Sequence, residues 1–188
     1  MADEKQITDP KALRALAHPL RWQLLEIVGR EGSATATQCA QETGESVANC
    51  SYHLNLLARY DYVEKAEGGQ GREKPWCLVG DSQRFGAGGD ADVDTRLATQ
   101  AASSAFLDYE LALIRDRVLH LHLEAAEWQE STGIDNGNEF LTPGEVEEFR
   151  RAVRDLMDRF RERRTDPAKR PEGARSVNLF FSTTVKPD

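Results

Sequence analysis

Apolar residues fall into short, separately punctuated runs over the first 79 residues and into one long periodic stripe after residue 92. Leu13 and Leu16 mark the inner side of a short helix over 10–17, which Pro19 interrupts. Leu20, Leu24, Ile27 and Val28 recur at helical spacing and predict a second helix over 20–29. Thr35-x-x-Gln38 is a capping-box signature for a third helix, and Gly44 ends it. Ser46 then caps a fourth helix running to about Arg59, with Cys50, Leu54 and Leu57 at i, i+4 and i+7 as its core side. The strand-like stretches 62–66 and 74–79 flank the turn Gly-Gly-Gln-Gly-Arg-Glu at 68–73, and together they predict a hairpin.

Residues 80–92, with four glycines, read as a hinge. Beyond it, 93–132 contains neither Gly nor Pro and reads as one helix. At 1.5 Å per residue its ~40 residues would reach about 60 Å. Val93, Leu97, Gln100, Ser104, Leu107, Leu111, Ile114, Val118, Leu121, Ala125 and Trp128 alternate at spacings of four and three, the repeat of a supercoiled seam. Phe106, Tyr109, Leu113, Leu119 and Leu123 widen the stripe, so more than one partner helix is expected. Thr142-Pro143-Gly144-Glu145 opens a further helix, whose apolar face is Val146, Phe149, Val153, Leu156, Met157 and Phe160. The run 165–175 is a loop, and 177–185 (VNLFFSTTV) is the best strand candidate in this half.

Composition narrows the function classes. The chain has 188 residues, 39% of them hydrophobic and 30% charged, enough apolar material for a packed core. No apolar run approaches the ~18 residues of a membrane span, and the start of the chain has no signal-peptide pattern, so a cytoplasmic protein without membrane contact is expected. Three cysteines imply no disulfide framework. With 24 basic and 32 acidic residues the net charge is -8, which counts against nonspecific coating of nucleic acid. There is no P-loop, G-x-S-x-G, H-E-x-x-H or C-x-x-C, so no enzyme and no cofactor are expected.

Two helices joined by a glycine turn, 38–43 and 47–59, followed by a hairpin, describe a winged helix-turn-helix. The fold class expected is mainly α with a small β-wing. Residues 1–79 would form the DNA-binding domain, 80–92 a hinge, and 93–188 a helical dimerisation and effector domain. The segments LRALAHPLRWQLLEIV (13–28) and AQETGESVANCSYHLNLLARYDYVEK (40–65) resemble the ArsR-type winged helix-turn-helix repressors. "AHPLR" and "S-x-x-x-x-S-Y-H-L-x-x-L" carry most of that likeness. The second half, with its long helix, "LTPGEVEEFRRAVRDLM" and "GARSVNLFF", resembles longer regulators of the group.

The resemblance implies a homodimeric, sequence-specific transcriptional regulator, a repressor, that binds double-stranded DNA and pairs through the 93–131 helix. An unidentified small-molecule effector is a further expectation. The side of the fourth helix opposite its core carries Ala48, Tyr52, Asn55 and Arg59, with Asn49 and Ser51 at the edges, and is the candidate for base readout. Ser46 is the candidate for a phosphate contact. On the wing, Gln70, Arg72 and Lys74 suit phosphate or the minor groove. Residues 1–80 hold nine Lys/Arg and eleven Asp/Glu, and Glu67 and Glu73 flank the wing tip, so modest and salt-sensitive affinity is expected. The acidic balance keeps an alternative open, a winged-helix protein-interaction module that does not bind DNA.

Many members of the family sense metals through thiolates at the start of the third helix. Thr35 and Thr37 stand there instead, so that site is absent. Cys39 and Cys50 fall at apolar positions and read as core. Cys77 lies beside Trp76 on the wing's second strand. Asp116, His120 and Glu124 share a helical face, which reads as a charge ladder more readily than as a metal site. His18 is expected to cap or pack at its helix junction, and His53 to be structural.

Overall fold

The computed structural model describes residues 5–66, 74–80, 83–85 and 90–185. The protein is mainly helical, with a small two-stranded antiparallel sheet. It divides into two compact units, Met1–Ile114 and Arg115–Asp188.

The first unit begins with strand β1 (Lys5–Ile7) and helices α1 (Pro10–Arg14), α2 (Pro19–Glu31), α3 (Ala36–Thr43) and α4 (Val47–Arg59). Each start follows from its cap. Asp9 accepts from the Lys11 amide, His18 from the Leu20 amide through Nδ1, and Pro10 and Pro19 occupy the first helical position. Thr35 and Gln38 form the reciprocal capping box of α3, whose end turns through the left-handed Gly44 at φ 73°. Strands β2 (Val63–Lys65) and β3 (Trp76–Leu78) pair antiparallel, Glu64 opposite Cys77, and one further bridge joins Ala34 to Trp76. Strand β4 (Gln83–Phe85) pairs parallel with β1, an association that no alternating pattern in the sequence announces.

Leu13, Leu16, Leu20, Leu24, Val28, Cys39, Cys50, Leu54, Leu57, Tyr62 and Val63 form one buried cluster in this unit. The Tyr62 hydroxyl, deep within it, donates to the Ala12 carbonyl at 2.8 Å. Helix α5 (Val93–His120) contributes Ala98 and Ala102 to the same core, with Thr95 and Ala105 buried beside them. The expected hinge at 80–92 lies partly outside the described residues. The units part at Ile114/Arg115 because the first turns of α5 belong to the core of the first unit.

In the second unit a 3-10 turn (Leu121–Leu123) follows α5, and α6 (Ala126–Ser131), α7 (Pro143–Asp158) and α8 (Glu162–Thr165) come after it. The unbroken helix expected over 93–132 therefore ends at His120. Arg175 takes the Glu124 carboxylate with both Nη atoms and lies over the Trp128 ring, while Gln129 Nε2 donates to the carbonyl of Glu124 at 2.7 Å. The Gln129 amide thus satisfies a backbone carbonyl that a continuing helix would have paired internally. The strand expected at 177–185 is not one: no ladder forms there. Side chains hold the segment instead, Phe181 against Phe149 at 5.6 Å between ring centres and Thr183 accepting from Arg150 at 2.9 Å. The capping box of α7, Thr142 with Glu145, is present as expected.

Candidate nucleic-acid interface

Helix α4 is built to show one side outward. Ser46 Oγ accepts from the Asn49 amide at 3.1 Å and fixes the start of the helix directly after the Gly44 turn. Cys50, Leu54 and Leu57 are fully buried, which leaves Ala48, Tyr52, Asn55 and Arg59 exposed on the other side, with Val47 exposed in the first turn at its edge. Tyr52 is 63% exposed, high for a large aromatic side chain in a well-packed helix.

The structure gathers seven of the ten expected site residues on this helix or its cap. Ser46, Ala48, Tyr52, Asn55 and Arg59 are exposed, and Asn49 and Ser51 are half-buried at the edges. Two amides are already engaged. Asn49 Nδ2 donates to Glu45 Oε2 at 2.9 Å, and Asn55 Nδ2 donates to the Ser51 carbonyl at 2.7 Å. Lys74 is exposed at the start of the hairpin's second arm, where its carbonyl accepts from Lys65 Nζ at 3.4 Å. The Lys65 ammonium also sits 3.4 Å over the Trp76 ring. Gln70 and Arg72 lie outside the described residues.

Behind the exposed face is a polar array that sequence reasoning had only as separate residues. His53 is buried on α4, its ring edge-on to Tyr52 at 5.1 Å and 4.6 Å from the ring of His18. Arg21 of α2 donates through Nε to His53 Nδ1 at 3.1 Å and through Nη1 to the Ala15 carbonyl at 2.6 Å. A guanidinium has no acceptor, so His53 must offer Nδ1 as a lone pair and carry its neutral proton on Nε2. Burial, then the neighbouring His18 and Arg21, hold the His53 pKa below its ordinary value, with Glu45 acting weakly the other way. One cation thus joins α1, α2 and α4 immediately beneath Tyr52.

Two contributors had escaped the sequence reading. Val47 falls in phase with Cys50 and Leu54 and looks like one more core residue, yet in the first turn of the helix it is 45% exposed, at the edge of the outward side. Glu45 precedes the helix and claims Asn49. The four-residue spacing of that pair was the available signal. None of the three cysteines is in a disulfide, and Cys39 and Cys50 are fully buried. Glu124 is turned to Arg175 rather than to Asp116 and His120, and no cluster of three metal-ligating side chains occurs among the described residues. No described helix is long and apolar enough to cross a membrane. No protein-family model and no curated protein sequence matches this chain.

Proposed function

We propose that the protein is a homodimeric, sequence-specific DNA-binding regulator of transcription, a cytoplasmic repressor of the ArsR-type winged helix-turn-helix kind. The observation that carries this reading is α4: a capped helix, seated on a core by one face and presenting Tyr52, Asn55 and Ala48 on the other. A helix of about 10–12 Å diameter with such a face suits the major groove. In this reading α3 and α4 are the helix-turn-helix, β2–β3 is the wing with Lys74 on it, and Ser46 and Arg59 meet phosphates.

Dimerisation runs through α5. Its seam residues Val93, Leu97, Leu107, Leu111 and Val118 are exposed, while its buried side is made of Thr95 and alanines. A twofold pair would set two α4 helices on half-sites about 34 Å apart. An apolar small-molecule effector would find its surface in the second unit, where Phe149, Leu156 and Phe160 are exposed.

Selection of bound fragments from genomic DNA, followed by salt titration of the best site, tests the proposal. The expected result is a palindromic site whose affinity falls with salt by a slope of several phosphates. Tyr52→Ala/Asn55→Ala should weaken it tenfold or more, about 1–3 kcal/mol per lost base contact. Glu45 at the head of α4 favours the second reading, a protein-interaction module, and the absence of enrichment even at low salt would select it.

A further inference from the structure

The exposed side of α4 is unusual for what its side chains do not offer. Between Ser46 and Arg59 there is no Lys or Arg, the side chains that most often pair with guanine O6 and N7. Asn49 spends an amide hydrogen on Glu45, which leaves its side chain tied to the turn. What remains outward is Val47, Ala48 and the ring of Tyr52, with Asn55 one turn beyond. Asn55 Nδ2 donates to the Ser51 carbonyl at 2.7 Å and reaches Ser51 Oγ at 3.4 Å, so Oδ1 is the atom it turns outward as an acceptor.

We propose that this face reads T·A pairs, with Val47 and Tyr52 as specificity-determining residues that contact thymine C5-methyl groups and Asn55 pairing with an adenine. The inference rests on the DNA-binding reading above and deepens it by naming the base class. Apolar side chains discriminate in the major groove chiefly by the thymine methyl, and the Asn55 oxygen can accept from adenine N6, with N7 met by the amide hydrogen that now makes only the long 3.4 Å contact to Ser51 Oγ. Both features belong to T·A steps. The charged groups sit at the margins, Arg59 at the far end of α4 and Lys74 on the hairpin, where phosphates rather than base edges are met. Tyr52 is held for this task by the buried His53 against its edge, and His53 is held by Arg21.

The test uses the full chain and a random duplex pool. Selected half-sites should show two or three adjacent T·A or A·T pairs at their centre. The best duplex is then remade with uracil for thymine at each such position, which deletes the methyl and nothing else. Affinity should fall about fourfold per contacted methyl. Val47→Ala should weaken the thymine duplex and leave the uracil duplex unchanged at one position, and Tyr52→Ala should do the same at another. Both residues are exposed, so neither change disturbs the core. A selected site centred on G·C pairs, or equal affinity for thymine and uracil duplexes, overturns this inference while the regulator reading stands. Failure to select any site, the result expected of a protein-binding face, overturns both.

Discussion

His53 ties protonation to the integrity of the α4 surface. Its Nδ1 accepts from Arg21, and an imidazolium there would set donor against donor. Because the folded chain holds this pKa below the ordinary 6.5, the unfolded chain binds more protons as pH falls through that value. Stability therefore declines on acidification from about pH 7 and levels off only when the folded ring is protonated as well. In urea titrations at pH 7.5 and 5.5, the wild type should lose more of its midpoint than His53→Gln, whose amide oxygen still accepts from Arg21 and does not titrate. Equal losses would show that the array carries no proton linkage. The two histidines were visible in the sequence as candidate structural residues. Their junction was not, since Arg21 lies 32 positions from His53 and only packing of α2 on α4 brings them together.

At the scale of elements, local chemistry made much of the first unit legible. Ser46, Gly44 and the capping box of Thr35 with Gln38 set the limits of α3 and α4 as expected. Gly44→Ala tests how much the turn depends on one backbone conformation. Nothing lies within 4 Å of the added Cβ, so the cost is that of a left-handed residue, about 1–2 kcal/mol. The urea midpoint should drop at unchanged slope, whereas Gly133→Ala, equally open and without a positive φ, should move it little. The misses share another cause. Arg175 holds the turn after α5 through Glu124, and Arg150 and Phe149 hold the unpaired 177–185 segment, with the polar partners 33 to 51 residues apart in sequence. The β1–β4 pair is three residues per strand, too short for a period to register. The candidate site was legible on α4 because a helix converts sequence spacing directly into a face. Val47 was missed because its spacing of three and seven from Cys50 and Leu54 reads as core, whereas its place in the first turn leaves it exposed.

For the whole molecule the question is association. The exposed seam of α5 should make the chain dimeric at micromolar concentration, and Leu107→Glu/Leu111→Glu should shift it to monomer in sedimentation equilibrium while leaving helical content intact. A wild type that sediments as a monomer at tens of micromolar would remove the dimer. The opposite side of the same helix carries a different consequence. Ala98 and Ala102 close the core beneath α1 to α4, and Phe106 packs at a tilt against Trp22, 4.7 Å between ring centres. An N-terminal cassette cut at residue 79, where composition invites the scissors, would leave that core open to solvent. Grafted onto a foreign scaffold, the portable piece runs to Ile114. The tether a chimera designer would discard as a linker is part of the first unit's core.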